Sequence, residues 1–117
     1  GDGGEGFIEK DKQLRQFNLL NDRFKKRNIE YMSIRGNHSD PKYFDGSINL
    51  SHLRLLPDYH AEFINDQKFL FVGGAVSIDR KIRKLNSSYW EDELFVLKPE
   101  FVAIFEITMM KACVAFL

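Results

Sequence analysis

Two glycine-containing loops carry side chains that could hold divalent metal ions against a phosphate group. The first loop, Gly1 to Phe7, contains Asp2 and Glu5. The second loop follows about 35 residues later and contains Asn37 and His38, directly after Gly36. One carboxylate can bridge two cations roughly 3.5–4 Å apart, as in two-metal hydrolytic sites. A carboxamide oxygen is a neutral, hard ligand that suits Mn, Fe, Zn or Mg. These residue types therefore predict metal-assisted chemistry on a phosphoester.

The chemistry of each side chain suggests a separate role. Asp2 is the candidate bridging ligand, and Asn37 is a candidate ligand of one ion. His38 could donate a proton, or a hydrogen bond to a phosphoryl oxygen. Glu5 lies one helical turn beyond Asp2 if the loop begins to coil, and could then accept the other ring N–H of His38 and fix its tautomer. Either loop alone is typical of an ordinary turn or helix cap, and the pairing of the two favours a site.

The segments between these loops predict the elements that position them. A helix is expected from about Ile8 to Arg27, and a buried strand over Ile29–Ile34. The apolar face of this helix consists of Leu14, Phe17, Leu20 and Phe24. With a strand before Gly1, the order would be β-α-β, with parallel strands and a right-handed crossover. Both polar loops would then lie at the carboxyl edge of the sheet, where α/β proteins bind ligands.

Further short elements follow, so the predicted fold class is α/β. Strands are expected over Leu53–Leu56, His60–Ile64 and Lys68–Val72, the last two forming an antiparallel hairpin around Asn65-Asp66-Gln67. A loop is expected over Ala75–Asn86 and a helix start at Tyr89–Glu93. The apolar tail Phe101–Leu117 is interpreted as a core strand or helix, or as sequence whose packing partners are missing.

Composition limits the function classes. The 117 residues fit one domain or a piece of one, and 44% hydrophobic with 29% charged residues is typical of a globular chain. Lys plus Arg and Asp plus Glu number 17 each, so charge does not indicate nucleic-acid binding. Cys113 is the single cysteine, expected as a buried, inert thiol; this favours a reducing compartment, the cytoplasm. No segment predicts a membrane span.

The order Gly1-Asp2-x-x-Glu5 and then Gly36-Asn37-His38 resembles the calcineurin-like metallophosphoesterases. Their pattern is Asp-x-His, Gly-Asp-x-x-Asp, Gly-Asn-His-Asp/Glu, a lone His and Gly-His-x-His. The stretch Phe71–Arg80, followed by Tyr89–Glu93, also looks like bacterial and phage members of this family. The resemblance covers about residues 1–95 and leaves 96–117 as an unassigned tail. On this resemblance, residues 1–117 are expected to form a single, partial domain of the family.

This resemblance implies a four-layer fold, a β-sandwich flanked by helices, with a β-α-β unit at the N-terminal end. It also implies two divalent metal ions and hydrolysis of phosphomonoesters or phosphodiesters by a metal-bound hydroxide. Asp2 would match the bridging aspartate, and Asn37 the asparagine ligand. His38 would match the histidine facing the scissile phosphate, with Glu5 as the acidic partner of that histidine.

The sequence departs from the family pattern in three ways. Ser39 stands where Asp or Glu usually follows Gly-Asn-His, and Asp40 is the candidate for the same loop-fixing contact. Glu5 replaces the commoner Asp. The Asp-x-His and C-terminal histidine motifs are absent from this sequence, and His52 and His60 are interpreted as surface or strand histidines. We therefore expect little or no activity from these 117 residues by themselves.

Two other functions are compatible with the sequence. A non-catalytic α/β scaffold or interaction module could keep the sheet and lack the metal site, as Ser39 and the missing histidines favour. A nucleic-acid-binding domain could use the basic stretch Arg80–Lys84, although such stretches are usually solvated loops.

Overall fold

The chain has a mixed α/β structure, as predicted, with a helix and two small sheets. The computed structural model describes residues 5–74, 82, 84, 85, 90, 98–100 and 112–116. In chain order the elements are α1 (Lys10–Lys26), β1 (Tyr31–Ile34), a short 3-10 helix η1 (Pro41–Phe44), β2 (Leu53–Leu56), β3 (His60–Ile64), β4 (Gln67–Val72) and β5 (Ala112–Phe116). In these residues no helix is long and apolar enough to cross a membrane.

Helix α1 forms where the apolar periodicity predicted it. Phe17 is buried in the core, and Leu14 and Phe24 pack against the same cluster. Leu20 was expected on this apolar face but is 38% exposed, so it lies at the rim of the contact. The helix ends before Asn28, whose φ of 52° is a left-handed conformation that an α-helix cannot continue. The basic residues of its last turn stabilise the negative end of the helix dipole.

The first sheet pairs β1 with β2 in parallel. Tyr31 lies opposite Leu53, and Ile34 lies opposite Leu56. Strand β1 begins later than the predicted Ile29, because the Ile29 N–H still bonds to the Phe24 carbonyl at 3.0 Å. The main core cluster lies between this sheet, α1 and η1, and contains Phe17, Phe44, Leu53 and Leu55.

The second sheet has the order β3-β4-β5. The predicted β3–β4 hairpin is confirmed, with a tighter turn than expected, because Gln67 pairs with Ile64 instead of lying in the loop. Asn65 and Asp66 form this turn with φ values of 49° and 63°, the conformation of a type I′ hairpin. Strand β5 runs parallel to β4, which confirms the strand interpretation for 112–116 of the tail.

Several predictions fall outside the described residues. Apart from isolated positions, these are the loop expected over Ala75–Asn86 and the helix start expected at Tyr89–Glu93. The Cys113 side chain and the strand expected before Gly1 also lie outside the described part.

A bidentate ion pair connects the two sheets. The guanidinium of Arg54, on β2, donates to both carboxylate oxygens of Glu62, on β3, at 2.8 and 2.6 Å. His60 lies on β3, which confirms the interpretation of this residue as a strand histidine. Its Nε2 lies 2.9 Å from Glu62 Oε2. The hydrogen bonds that Arg54 donates lower the pKa of Glu62, and the same hydrogen bonds raise the pKa of Arg54.

The lowered pKa of Glu62 predicts a pH-dependent contribution to stability. A carboxylate whose pKa falls on folding stabilises the protein above its unfolded pKa of about 4.3, and loses this contribution as the pH falls through the folded pKa. We expect Glu62→Gln to lower the free energy of unfolding by about 1 kcal/mol at pH 7. The difference from wild type should narrow below about pH 4 in urea titrations. Glu9→Gln, which removes an exposed pair with Lys12, is the control and should change little.

The core cluster yields a second prediction. Leu55 is 2% exposed, and its truncation removes contacts that the surrounding residues replace incompletely. Leu55→Ala should therefore reduce the free energy of unfolding by about 2–4 kcal/mol, measured by urea denaturation. Leu19→Ala is the matched control, because Leu19 is 60% exposed and should change stability by less than about 0.5 kcal/mol. Equal losses in the two variants would contradict this position of the core.

Candidate functional site

The carboxyl ends of β1, β2 and β4 meet at a junction formed by Arg35, Asp58 and Gly73. Arg35 directly follows β1, and its Nε and Nη2 lie 2.9 and 2.8 Å from Asp58 Oδ2. The Gly73 N–H donates to Asp58 Oδ1 at 3.1 Å, and the Gly74 N–H donates to the Arg35 carbonyl at 2.8 Å. This junction joins both sheets at the edge that the sequence predicted to bind ligands.

Close packing at this junction requires a glycine at position 73. A Cβ on Gly73 would lie 2.6 Å from Arg35 Cγ and 2.7 Å from the Arg35 carbonyl oxygen. Arg35 itself is 6% exposed, so its charge is held inside the protein beside the Asp58 carboxylate. Because a buried guanidinium is stable when it is paired and hydrogen-bonded, Asp58 fixes the start of the loop that follows β1.

The two predicted loops lie together, and Glu5 and Ser39 join them. The Ser39 hydroxyl donates to Glu5 Oε2 at 2.6 Å, and the Asp40 N–H donates to the Glu5 carbonyl at 2.7 Å. Ser39 is completely buried, and its Oγ also accepts a long hydrogen bond of 3.4 Å from the Gly36 N–H. The polar loop before α1 is therefore fixed to the Gly36–Asp40 loop.

The loop-fixing side chain is Ser39, and the expectation for Asp40 is corrected. Asp40 Oδ1 instead accepts from the Lys42 N–H at 3.0 Å and caps η1. Gly6 allows the close approach of the loops, since its φ is +98° and a Cβ there would lie 2.4 Å from Asp40 Cβ.

The structure places three of the four predicted site residues. Asn37 and His38 lie in the loop after β1, directly before Ser39, and Glu5 contacts that Ser39. Asp2 lies outside the described residues. The pairing of Glu5 with His38 stays a prediction, because the side-chain contact described for Glu5 is with the Ser39 hydroxyl. His52 contacts Ser51 at 3.1 Å and lies in a different part of the chain, before β2.

The electrostatics of the two loops fit a hard cation. Glu5 is 5% exposed, and among the described residues no salt bridge reaches its carboxylate. A buried carboxylate is costly without a nearby positive charge, so a cation beside it would stabilise this arrangement. Within the same described part of the chain, no three His, Cys, Asp or Glu side chains form a group that could hold a metal ion. The carboxamide oxygen of Asn37, in the loop after β1, is of the kind that suits a hard divalent ion.

Aromatic side chains border the loop at His38. The rings of Phe7 and His38 are nearly perpendicular, with centroids 6.4 Å apart. Phe7 also stacks on Trp90, with centroids 5.8 Å apart and planes within 8° of each other. Trp90 is 4% exposed, so a buried indole supports Phe7.

A cleft of about 540 Å³ lies on the α1 side of Asp40, within the range of small-molecule sites. Leu14 and Ile48 form part of its apolar wall, and Lys10 and Lys42 lie among its polar residues. Tyr43 also lines it, and burial together with the Asp40 carboxylate raises the pKa of this phenol. The tyrosine is therefore a neutral hydrogen-bonding group at ordinary pH.

Sequence reasoning missed the parts of the site that depend on distant partners. Arg35 and Asp58 received no role from the sequence, yet together they form the junction. The signal for both is their position, since each is a charged residue just beyond the end of a buried strand. Ser39 was identified as a departure from a pattern, and its role became visible only beside Glu5. No protein-family model, curated protein or solved structure matches this chain.

The Glu5–Ser39 hydrogen bond yields a third prediction. Ser39→Ala leaves a buried carboxylate oxygen without its donor, which costs about 1–3 kcal/mol in the free energy of unfolding. The loss should appear in urea denaturation, and amide exchange should accelerate at Gly36 and Asp40. Ser51→Ala, at an exposed serine, is the control and should have little effect. An unchanged stability of Ser39→Ala would show that this bond does not fix the loops.

Proposed function

We propose that this chain belongs to a metal-dependent phosphoester hydrolase with a dinuclear metal site at the carboxyl end of β1. The substrates would be phosphomonoesters or phosphodiesters, and the fold would be a form of the four-layer metallophosphoesterase architecture. The proposal depends on the motif residues and on the contact between the two loops that contain them.

The observation that carries the proposal is the hydrogen bond between Glu5 and Ser39, at 2.6 Å. It connects Glu5, three residues after Asp2, with a serine that directly follows Asn37 and His38. Residues from distant parts of the sequence are thereby fixed at one loop cluster, as a two-metal site requires. The buried Glu5 carboxylate adds negative charge at this place, which favours cations.

The residues of the chain would divide the work as follows. Asp2 and Asn37 would hold the metal ions through oxygen atoms, and the ions would polarise the phosphoryl group and activate water. His38 would donate a hydrogen bond to a phosphoryl oxygen, or a proton to the leaving group. Glu5 and Ser39 would hold the loop of His38 in position, because the bond between them fixes the backbone directly after it.

Manganese binding tests this proposal and yields the fourth prediction. In calorimetric titrations of the full chain, Asp2→Asn and Asn37→Ala should each weaken Mn²⁺ binding by about tenfold or more, since substitutions around a metal site have effects of this size. Asn18→Ala is the matched control, because Asn18 lies on the exposed face of α1 and bonds to the Leu14 carbonyl. Hydrolysis of p-nitrophenyl phosphate is measured in parallel and should depend on Asp2 wherever it is detected.

Binding that does not depend on Asp2 or Asn37 would overturn the proposed metal site. Absence of tight binding would favour the alternative of a non-catalytic scaffold that retains the loop contact without a metal. Urea denaturation of each variant shows whether weaker Mn²⁺ binding comes from the loss of a metal ligand or from unfolding of the protein.

A further inference from the structure

Phe7 combines features of a ligand-contacting residue beside the proposed phosphate site. It is 48% exposed although one of its neighbours, Trp90, is buried. It lies two residues after Glu5, in the loop that the Glu5–Ser39 bond fixes. Its ring centroid is 6.4 Å from that of His38. An exposed aromatic ring is thus held next to the histidine that would face the phosphate.

The orientation of this ring is defined by its support. Phe7 and Trp90 are nearly parallel, with planes within 8° and centroids 5.8 Å apart, so stacking holds the phenyl group on one side. Gly6, with its φ of +98°, sets the backbone direction directly before Phe7. A ring that is already oriented loses less conformational freedom when a ligand binds.

We propose that Phe7 is a specificity-determining residue that stacks on an aromatic group next to the phosphoryl group of the substrate. This inference rests on the proposed function, which it deepens by naming the substrate class: phosphoesters whose organic part is planar and aromatic at or near the ester oxygen. Aromatic rings prefer offset-stacked or edge-to-face partners, and such pairs contribute beyond their buried area. The proximity of Phe7 to His38 fits a substrate whose ring and phosphoryl group are close together.

The test compares two phosphonates that cannot be hydrolysed as phosphoesters. Phenylphosphonate has a flat π face, and cyclohexylphosphonate is similar in size and apolar character without one. With Mn²⁺ present, calorimetry on the full chain should give about threefold to tenfold tighter binding of phenylphosphonate. Phe7→Leu should reduce this ratio to about one, and Phe7→Tyr should keep it, because tyrosine retains the aromatic face.

Phe63→Leu is the matched control. Phe63 is 60% exposed, and it pairs with Lys68, at the opposite end of β4 from Gly73. The binding ratio should be unchanged in this variant.

The results separate this inference from the proposed function on which it depends. If both phosphonates bind but Phe7→Leu keeps the wild-type ratio, the stacking role is overturned and the phosphate site remains. If neither phosphonate binds the wild-type protein with Mn²⁺, the proposed function fails, and the inference fails with it. Urea denaturation of Phe7→Leu and Phe7→Tyr confirms that each variant is folded under the binding conditions, so that a changed ratio reports recognition.

Discussion

The ion pair between the buried Arg35 guanidinium and the partly exposed Asp58 carboxylate connects the loop after β1 with both sheets of the described structure. Each sheet is too small to form a stable unit alone, because two or three short strands bury little apolar surface. Arg35 extends from the end of β1, Asp58 lies between β2 and β3, and Gly73 follows β4, so the pair connects both sheets. Because Arg35 is buried, its charge requires an opposite charge and hydrogen bonds beside it, and the Asp58 carboxylate supplies both.

The same ion pair fixes one end of the loop that contains Asn37 and His38. The loop that begins at Gly36 starts from a backbone fixed by Arg35, whose carbonyl accepts the Gly74 N–H at 2.8 Å. At its other end the loop is fixed by Ser39 and Asp40, which bond to Glu5. Asn37 and His38 lie between these fixed points. Side chains on a loop held at both ends lose less freedom when they bind a ligand, which favours defined coordination or hydrogen bonding.

The sequence predicted the elements better than their arrangement, for a physical reason. Hydrophobic periodicity and turn residues act over a few positions, so α1, β2 and the β3–β4 hairpin could be identified from local patterns. The separation of β2 and β3 into different sheets depends on the intervening turn, where Tyr59 has a φ of 61°. A positive φ at tyrosine is uncommon, and no local pattern indicates it. The Arg35–Asp58 pair spans 23 positions, and periodicity gives no information on such contacts.

For the site, the sequence predicted the loops and the kinds of side chain, but it missed how two unusual residues act together. Glu5 and Ser39 each depart from the calcineurin-like pattern, and considered separately each weakens the resemblance. In the structure they form a hydrogen bond of 2.6 Å. A carboxylate at position 39 would bring a second negative charge against the buried Glu5, and like charges at contact distance are strongly unfavourable. A hydroxyl can donate to that carboxylate instead, and the longer Glu side chain extends further than Asp toward the short serine. The two residues are therefore compatible with each other, and the hydrogen bond between them connects the two loops.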